Sequence, residues 1–80
     1  MKIYTTRTCP YCVRAKRLLQ RKNVSYEEID VSYDDDAREQ MMERSGRRSV
    51  PQIFIGERHV GGSDELYELD QRGELDALLQ

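Results

Sequence analysis

Apolar residues along the chain alternate between two spacings, and this alternation predicts an α/β domain. Short runs rich in β-branched and aromatic residues, typical of strands, are separated by stretches in which apolar residues recur every three or four positions. The predicted strands span residues 2–5, 24–31, 50–55 and 58–60. The predicted helices span residues 10–22, 34–45 and 63–72, and a last helical segment at 75–79 closes the core.

The resulting order, β-α-β-α-β-β-α, constrains how the strands pair. The first β-α-β unit predicts two parallel strands joined by a right-handed crossover, and the Gly56-Glu57 turn predicts an antiparallel hairpin. We therefore expect a four-stranded mixed sheet with helices on both faces, in a single domain over residues 1–80. Ser63 is expected to cap the third helix. Four tyrosines are expected to be packing residues: Tyr4, Tyr26, Tyr33 and Tyr67.

Composition and charge exclude several classes of function. The 80 residues include 13 Lys and Arg against 15 Asp and Glu, and this balance lacks the basic stripe typical of nucleic-acid binding. No apolar run approaches the roughly 20 residues that cross a bilayer, and the N-terminus has no signal-peptide core. We therefore expect a cytoplasmic, monomeric protein that binds neither nucleic acid nor membrane.

The most specific chemical signal is the tetrad Cys9-Pro10-Tyr11-Cys12, which contains both cysteines of the chain. Pro10 suits the first position of a helix. Cys9 would then lie where free backbone N–H groups favour a thiolate, and Arg7 adds positive charge nearby. Cys12 lies one turn further on, on the apolar face of the helix, and is predicted to be buried. These positions assign Cys9 as the attacking thiol and Cys12 as the resolving thiol in disulfide exchange.

Two other interpretations of the cysteine pair are a zinc half-site and an incidental pair of reduced thiols. A tetrahedral zinc site needs about four ligands. The chain offers two cysteines and one histidine, His59, which is predicted on a strand away from the tetrad. In a cytoplasmic chain with a β-α-β pattern, Cys-x-x-Cys favours redox chemistry over both alternatives, and we expect no bound metal.

Two further motifs could complete a binding site. In Ser49-Val50-Pro51, a cis bond before the proline would expose the backbone of Val50 to an extended thiol peptide. In Gly61-Gly62-Ser63-Asp64, the Ser63 N–H can receive a carboxylate and Asp64 can hold an ammonium group. That combination suits a ligand with an α-amino acid end. Each motif alone is also compatible with a simpler interpretation, a strand-opening proline and a capped turn.

These signals, in this order, resemble the glutaredoxin family over essentially all 80 residues; the matching motifs are the tetrad, Val-Pro-Gln-Ile-Phe-Ile at 50–55 and Gly-Gly-x-Asp at 61–64. The resemblance implies a thioredoxin-like fold, a cis Val50–Pro51 bond and reduction of protein disulfides and protein–glutathione mixed disulfides. It implies glutathione as reductant and co-substrate, with no permanently bound cofactor. It also implies that Cys9 becomes glutathionylated and that these residues bind glutathione: Tyr11, Arg38, Val50, Pro51, Gly62, Ser63 and Asp64.

Two positions depart from the family pattern. The family lysine three residues before the nucleophile is Thr6 here, and Arg7 supplies part of its charge in a different geometry. The family threonine before Val-Pro is Ser49, which keeps the hydroxyl group.

The resemblance leaves two alternative functions open. One is a redoxin reduced by thioredoxin reductase that donates electrons mainly to ribonucleotide reductase. The other is an iron–sulfur binding module in which two chains each contribute Cys9 and two glutathiones complete the cluster. The turn at 61–64 favours glutathione as the electron donor, and Pro10 stiffens the tetrad against cluster binding. The expected partners are glutathione and disulfide-bonded or glutathionylated proteins, among which ribonucleotide reductase is a candidate.

Overall fold

Eight helices and strands make up residues 1–79, the part of the chain that the structure, a computed structural model, describes. The strands are β1 (Lys2–Thr5), β2 (Glu27–Asp30), β3 (Gln52–Ile55) and β4 (Arg58–Gly61). The helices are α1 (Pro10–Arg21), α2 (Asp35–Ser45), α3 (Ser63–Gln71) and α4 (Leu75–Leu79). Within residues 1–79, no helix is both long and apolar enough to cross a membrane.

The four strands form one mixed sheet in the order β2-β1-β3-β4. β1 and β2 are parallel and are joined through α1, whereas β1 pairs antiparallel with β3 and β3 with β4. This confirms the predicted mixed sheet and its thioredoxin-like topology. Tyr4 near the end of β1 pairs with Gln52 at the start of β3. The loop that leaves β1 and the loop that enters β3 therefore meet at the same end of the sheet.

Helices cover both faces of the sheet, as the sequence predicts. On one face, Ile3 and Ile53 contact Leu19 of α1 and the buried leucines of α3 and α4. On the other face, Tyr4 and Phe54 form a smaller cluster with buried residues that include Met41 of α2. Side chains alternate along each strand, so consecutive residues such as Ile3 and Tyr4 enter opposite layers. The larger of the two layers packs α1 against the sheet, with its N-terminus at the end of the sheet where the two loops meet.

Two predicted strands are shorter in the structure. The second, predicted over 24–31, is β2 at Glu27–Asp30, because the Val24 N–H bonds the Leu19 carbonyl and so closes the end of α1. The third, predicted over 50–55, is β3 at Gln52–Ile55, because Gln52 is the first residue of this segment that pairs with β1. The fourth is one residue longer than predicted, because Gly61 pairs with Ile53.

Two side-chain predictions are wrong. Ser63 does not cap the third helix: the N-cap is Gly62, and Ser63 is the first helical residue. Tyr33 is not a packing residue, since it is 84% exposed and its ring lies under the Arg7 guanidinium. The loop between β2 and α2 leaves this side chain on the surface, where it contacts Arg7.

Candidate active site

Cys9 occupies the N-cap position of α1, immediately before Pro10 at the start of the helix. Its Sγ accepts the backbone N–H of Cys12 at 3.2 Å, and its thiol donates to the Val50 carbonyl at 3.6 Å. The first turn of α1 contains no acidic side chain, so the sulfur itself meets the positive end of the helix dipole. The backbone therefore places this sulfur where an anion is favoured.

Cys12 is more deeply buried than Cys9, and its pKa is raised. Cys12 is 1% exposed on the apolar face of α1, whereas Cys9 is half-buried. Burial, followed by the hydrogen bond with Cys9, raises the pKa of Cys12 to about 12. At neutral pH Cys12 is a protonated thiol beneath the accessible sulfur, a position that suits a resolving thiol.

This difference predicts selective alkylation of the reduced protein. With iodoacetamide between about pH 7 and pH 9, we expect modification of Cys9 alone, because a buried thiol with a pKa of about 12 is scarcely ionised there. Peptide mass spectrometry after a short exposure measures labelling at each cysteine. Protein unfolded in guanidinium is the control, in which both cysteines should react. Comparable labelling of both cysteines in the folded protein would contradict the assignment.

A cavity of about 210 Å³ beside the tetrad brings three chain segments together. They are the start of α1, the loop before β3, and the turn that opens α3. Six of the seven residues predicted to bind glutathione line this cavity: Tyr11, Val50, Pro51, Gly62, Ser63 and Asp64. The Val50–Pro51 peptide bond is cis. The antiparallel pairing of β1 with β3 brings the loop before β3 to Cys9, and α3 then closes the cavity from the other side.

Ser63, which lines this cavity, carries an unusual polar group. Its hydroxyl is buried, the residue being 4% exposed, and within residues 1–79 the oxygen has no hydrogen-bond partner. Gly62 lies so close to the Pro51 carbonyl that a Cβ there would stand 3.3 Å from that oxygen. A buried hydroxyl without a partner costs free energy unless a ligand or water satisfies it. The start of α3 is therefore suited to bind a polar ligand group.

Arg38, the seventh predicted residue, lies outside this cavity. It lines a second depression of about 290 Å³, whose other residues are Thr6, Arg7, Thr8, Ser32 and Tyr33. Thr8, which lines this second depression, is adjacent to Cys9 in the chain. Arg38 is half-buried near the start of α2. The structure thus separates it from the other six residues.

Arg7 was predicted to add positive charge near Cys9, and its contacts lie elsewhere. Its guanidinium is 3.5 Å from the Asp30 carboxylate and 4.9 Å from the centre of the Tyr33 ring. Its backbone N–H donates to the Ser32 hydroxyl. Because Asp30 already pairs with this charge, an effect of Arg7 on the Cys9 sulfur stays a prediction.

Three further residues that line the cavity lie outside the predicted binding set: Arg47, Gln52 and Glu65. Arg47 and Glu65 form an ion pair at 2.6 Å across its rim, and Arg47 holds the pKa of Glu65 below its usual range. These residues lie 18 positions apart, on a loop and a helix. No local pattern could reveal this ion pair, although Arg47 lies two residues before the motif Ser49-Val50-Pro51.

The fold and this dithiol define the class of protein. A thioredoxin-like sheet carries Cys-x-x-Cys at the N-terminus of α1, with an accessible sulfur at Cys9 above a buried thiol at Cys12. A positioned sulfur with a second thiol one turn away can break a disulfide and then release the partner. The arrangement is that of a thiol–disulfide oxidoreductase.

Comparison with known proteins establishes the family. The glutaredoxin family model matches residues 1–60. The chain is 55% identical to glutaredoxin 3 of Escherichia coli (strain K12) over 80 residues, which cover 100% of this chain and 96% of that protein. It is 53% identical to a glutaredoxin of Pseudomonas aeruginosa over 77 residues, covering 96% and 92% of the two chains. The chain belongs to the glutaredoxin family, with Cys9 and Cys12 as its active-site pair.

Solved structures give the same result for the fold. The solution structure of a glutaredoxin from Brucella melitensis is 56% identical with a TM-score of 0.86, covering 98% of this chain and 85% of that one. The crystal structure of a buckwheat glutaredoxin–glutathione complex is 30% identical with a TM-score of 0.89, covering 98% and 74%. The backbone of this chain therefore follows that of a protein solved with glutathione bound.

Proposed function

We propose that this protein is a glutathione-dependent thiol–disulfide oxidoreductase that reduces protein–glutathione mixed disulfides and protein disulfides. The observation that carries the proposal is the cavity beside Cys9, which joins the Val50 backbone to the start of α3 and is lined by Ser63, whose buried hydroxyl has no partner among residues 1–79. The likeness to a buckwheat glutaredoxin solved with glutathione supports it. A compartment with a reduced glutathione pool, which we propose to be the cytoplasm, supplies the electrons.

The proposed binding mode places each part of glutathione against a different segment. The backbone of Val50 pairs with the cysteine part, while Tyr11 lies beside the tripeptide. The N-terminus of α3 receives the α-carboxylate of the γ-glutamyl end at Ser63, and Asp64 receives the α-ammonium group. Arg38, which lines the second depression, is proposed to reach the glycine carboxylate.

Reduction of a glutathionylated protein uses Cys9 alone. The Cys9 thiolate attacks the glutathione sulfur; a Cys9–glutathione disulfide forms, the bond to the protein sulfur breaks, and the released protein thiolate takes up a proton. The thiolate of a second glutathione then attacks the glutathione sulfur bound to Cys9. Oxidised glutathione leaves, and Cys9 returns as a thiolate, so that two glutathione equivalents end as one disulfide.

Reduction of a protein disulfide uses both cysteines. Cys9 attacks one sulfur and forms a mixed disulfide with the substrate, whose other sulfur leaves as a thiolate. Cys12 then loses its proton and attacks the Cys9 sulfur, which releases the substrate as a dithiol and leaves a Cys9–Cys12 disulfide. Two glutathiones reduce that disulfide in turn. Ribonucleotide reductase is one proposed protein substrate of this route.

A coupled assay tests the proposal and its main alternative. The oxidised protein is supplied with glutathione and glutathione reductase in one arm and with thioredoxin reductase in the other, and NADPH consumption is followed. We expect rapid reduction with glutathione and little with thioredoxin reductase. The reverse result would assign the chain to the redoxins that thioredoxin reductase serves.

The proposed binding mode predicts the effect of Asp64→Asn. The substitution removes the charge proposed to hold the α-ammonium group but keeps the shape of the side chain. We expect the KM for a glutathionylated peptide to rise roughly five- to tenfold with little change in kcat, as for loss of one charge-assisted hydrogen bond. Asp70→Asn, at the far end of α3, is the control and should leave KM unchanged. An unchanged KM in Asp64→Asn would remove this residue from the site.

A further inference from the structure

Gln52 is the most deeply buried polar side chain that lines the cavity, at 1% exposure. It follows the Val50–Pro51 bond directly and opens β3. Its Nε2 lies 2.9 Å from the Ser49 carbonyl oxygen and 3.3 Å from the Ser49 hydroxyl. A carbonyl oxygen only accepts, so the amide nitrogen of Gln52 donates to Ser49 across the Val50–Pro51 segment.

The other end of the Gln52 amide is held by His59. Gln52 Oε1 lies 2.7 Å from His59 Nε2, and since the amide oxygen only accepts, that ring nitrogen carries the hydrogen. His59 stacks on Phe54 with ring centres 4.9 Å apart, and the Arg44 guanidinium lies 4.6 Å from the centre of the Phe54 ring. The imidazole is thereby fixed on β4 and permits one orientation of the Gln52 amide.

We infer that Gln52, oriented by His59, is a positioning residue that holds the Ser49–Pro51 loop in the conformation that binds the thiol substrate. The loop presents the Val50 carbonyl to the Cys9 thiol, so any displacement of Ser49 is passed to the backbone group beside the reacting sulfur. The identity of the substrate in this inference rests on the proposed function. The hydrogen bonds that hold the loop are a property of the free protein. Neither Gln52 nor His59 has a place in the chemical steps.

The hydrogen-bond pattern accounts for why a polar residue is buried at this point. An amide placed in an apolar layer costs free energy unless both its oxygen and its nitrogen are paired. Gln52 has partners for both, on β4 and on the loop. A side chain of equal length without an N–H group would fill the same space, but the Ser49 carbonyl would lose this hydrogen bond.

Substitution of the two residues tests the inference. In Gln52→Met, which keeps the length of the side chain, we expect the KM for a glutathionylated peptide to rise roughly three- to tenfold with kcat within about twofold. His59→Phe keeps the stacking on Phe54 but removes the donor, and should raise KM about two- to threefold. His59→Gln restores an N–H donor and should return KM towards that of the unsubstituted protein.

Two further measurements separate positioning from loss of stability. Thr5→Val removes a hydrogen bond of another buried polar side chain, to Glu28, and should lower the melting temperature without raising KM. In the free protein, amide NMR resonances of Ser49 and Val50 should shift in Gln52→Met but not in Thr5→Val. If Gln52→Met does not fold, the two His59 variants and the same NMR resonances decide the question.

The outcomes distinguish this inference from the proposed function. If the unsubstituted protein is not reduced by glutathione, the proposed function fails, and the NMR comparison alone then decides whether Gln52 holds the loop. If the unsubstituted protein is active and Gln52→Met has the same KM and the same Ser49 and Val50 resonances, the inference is overturned. A rise in KM that Thr5→Val reproduces would overturn it equally, because it would then reflect stability alone.

Discussion

Replacing Cys9 with serine is expected to abolish reduction of glutathionylated proteins and of protein disulfides alike. The loss should exceed about 1000-fold, because a serine hydroxyl does not ionise at neutral pH and is a poor nucleophile towards sulfur without a base. Cys9 combines the N-cap position of α1 with partial exposure, whereas Cys12 is buried. Activity is measured by glutathione-coupled assays on a glutathionylated peptide and on a protein with one internal disulfide.

Cys12→Ser is the matched control, since it removes one sulfur from the same tetrad. It should keep reduction of the glutathionylated peptide within about threefold, because that route needs only one protein thiol, and lose most reduction of the internal disulfide. Circular dichroism of both variants checks that the fold is retained. Residual activity of Cys9→Ser, or equal loss of both activities in Cys12→Ser, would contradict the assigned roles.

Gly61→Ala is expected to lower the free energy of unfolding by about 3 kcal/mol. Gly61 ends β4 with φ of +122°, a conformation that residues with a Cβ rarely adopt. A Cβ at this position would also lie 2.8 Å from Glu65 Oε1 and 2.9 Å from Glu65 Cγ. Backbone strain and steric overlap therefore add, at the turn that shapes the cavity. Urea unfolding measures the loss.

Gly56→Ala separates the two causes. Gly56 also has positive φ, +60°, but within residues 1–79 a Cβ there would meet nothing within 4 Å. We expect it to lose only about 1 kcal/mol, the cost of the left-handed backbone. Adding Glu65→Ala to Gly61→Ala removes the two closest contacts, with Glu65 Oε1 and Cγ, and should recover about 1 kcal/mol. Equal losses in Gly61→Ala and Gly56→Ala would show that the contact with Glu65 has no part in the effect.

Much of the fold follows from local pattern. The start of α1 is predicted to the residue, because Pro10 can begin a helix and Cys9 can occupy the cap before it. The bounds of β2 and β3 were predicted too wide, because strand ends depend on whether a partner strand is present. Val24 has strand-like chemistry, but its N–H bonds back to α1. The Ser63 prediction failed similarly, since the chain enters α3 at Gly62.

The residues of the site likewise divide into those that a local motif identifies and those that only the tertiary structure brings together. The cysteines, the Val50-Pro51 dipeptide and the turn at 61–64 carry their chemistry in short motifs, so each could be identified from neighbouring residues. The Arg47–Glu65 ion pair and the Gln52–His59 hydrogen bond could not be identified in this way, because each joins two different elements of the fold. The Gln52 hydrogen bonds need a loop, β3 and β4 in register, and a periodic pattern contains no information about that register.

The order of amino acids alone determines that the thiol of Cys9 lies at the start of a helix, where an anion is favoured. The reason is that helix capping depends on the identity and spacing of a few neighbouring residues. Only the folded chain decides that the Ser63 hydroxyl has no partner within residues 1–79 and that Arg38 lines a different depression from the other predicted binding residues. Burial and long-range pairing depend on how strands and helices stack across the sheet. Those contacts join residues that are distant in sequence, and they form only when the whole domain folds.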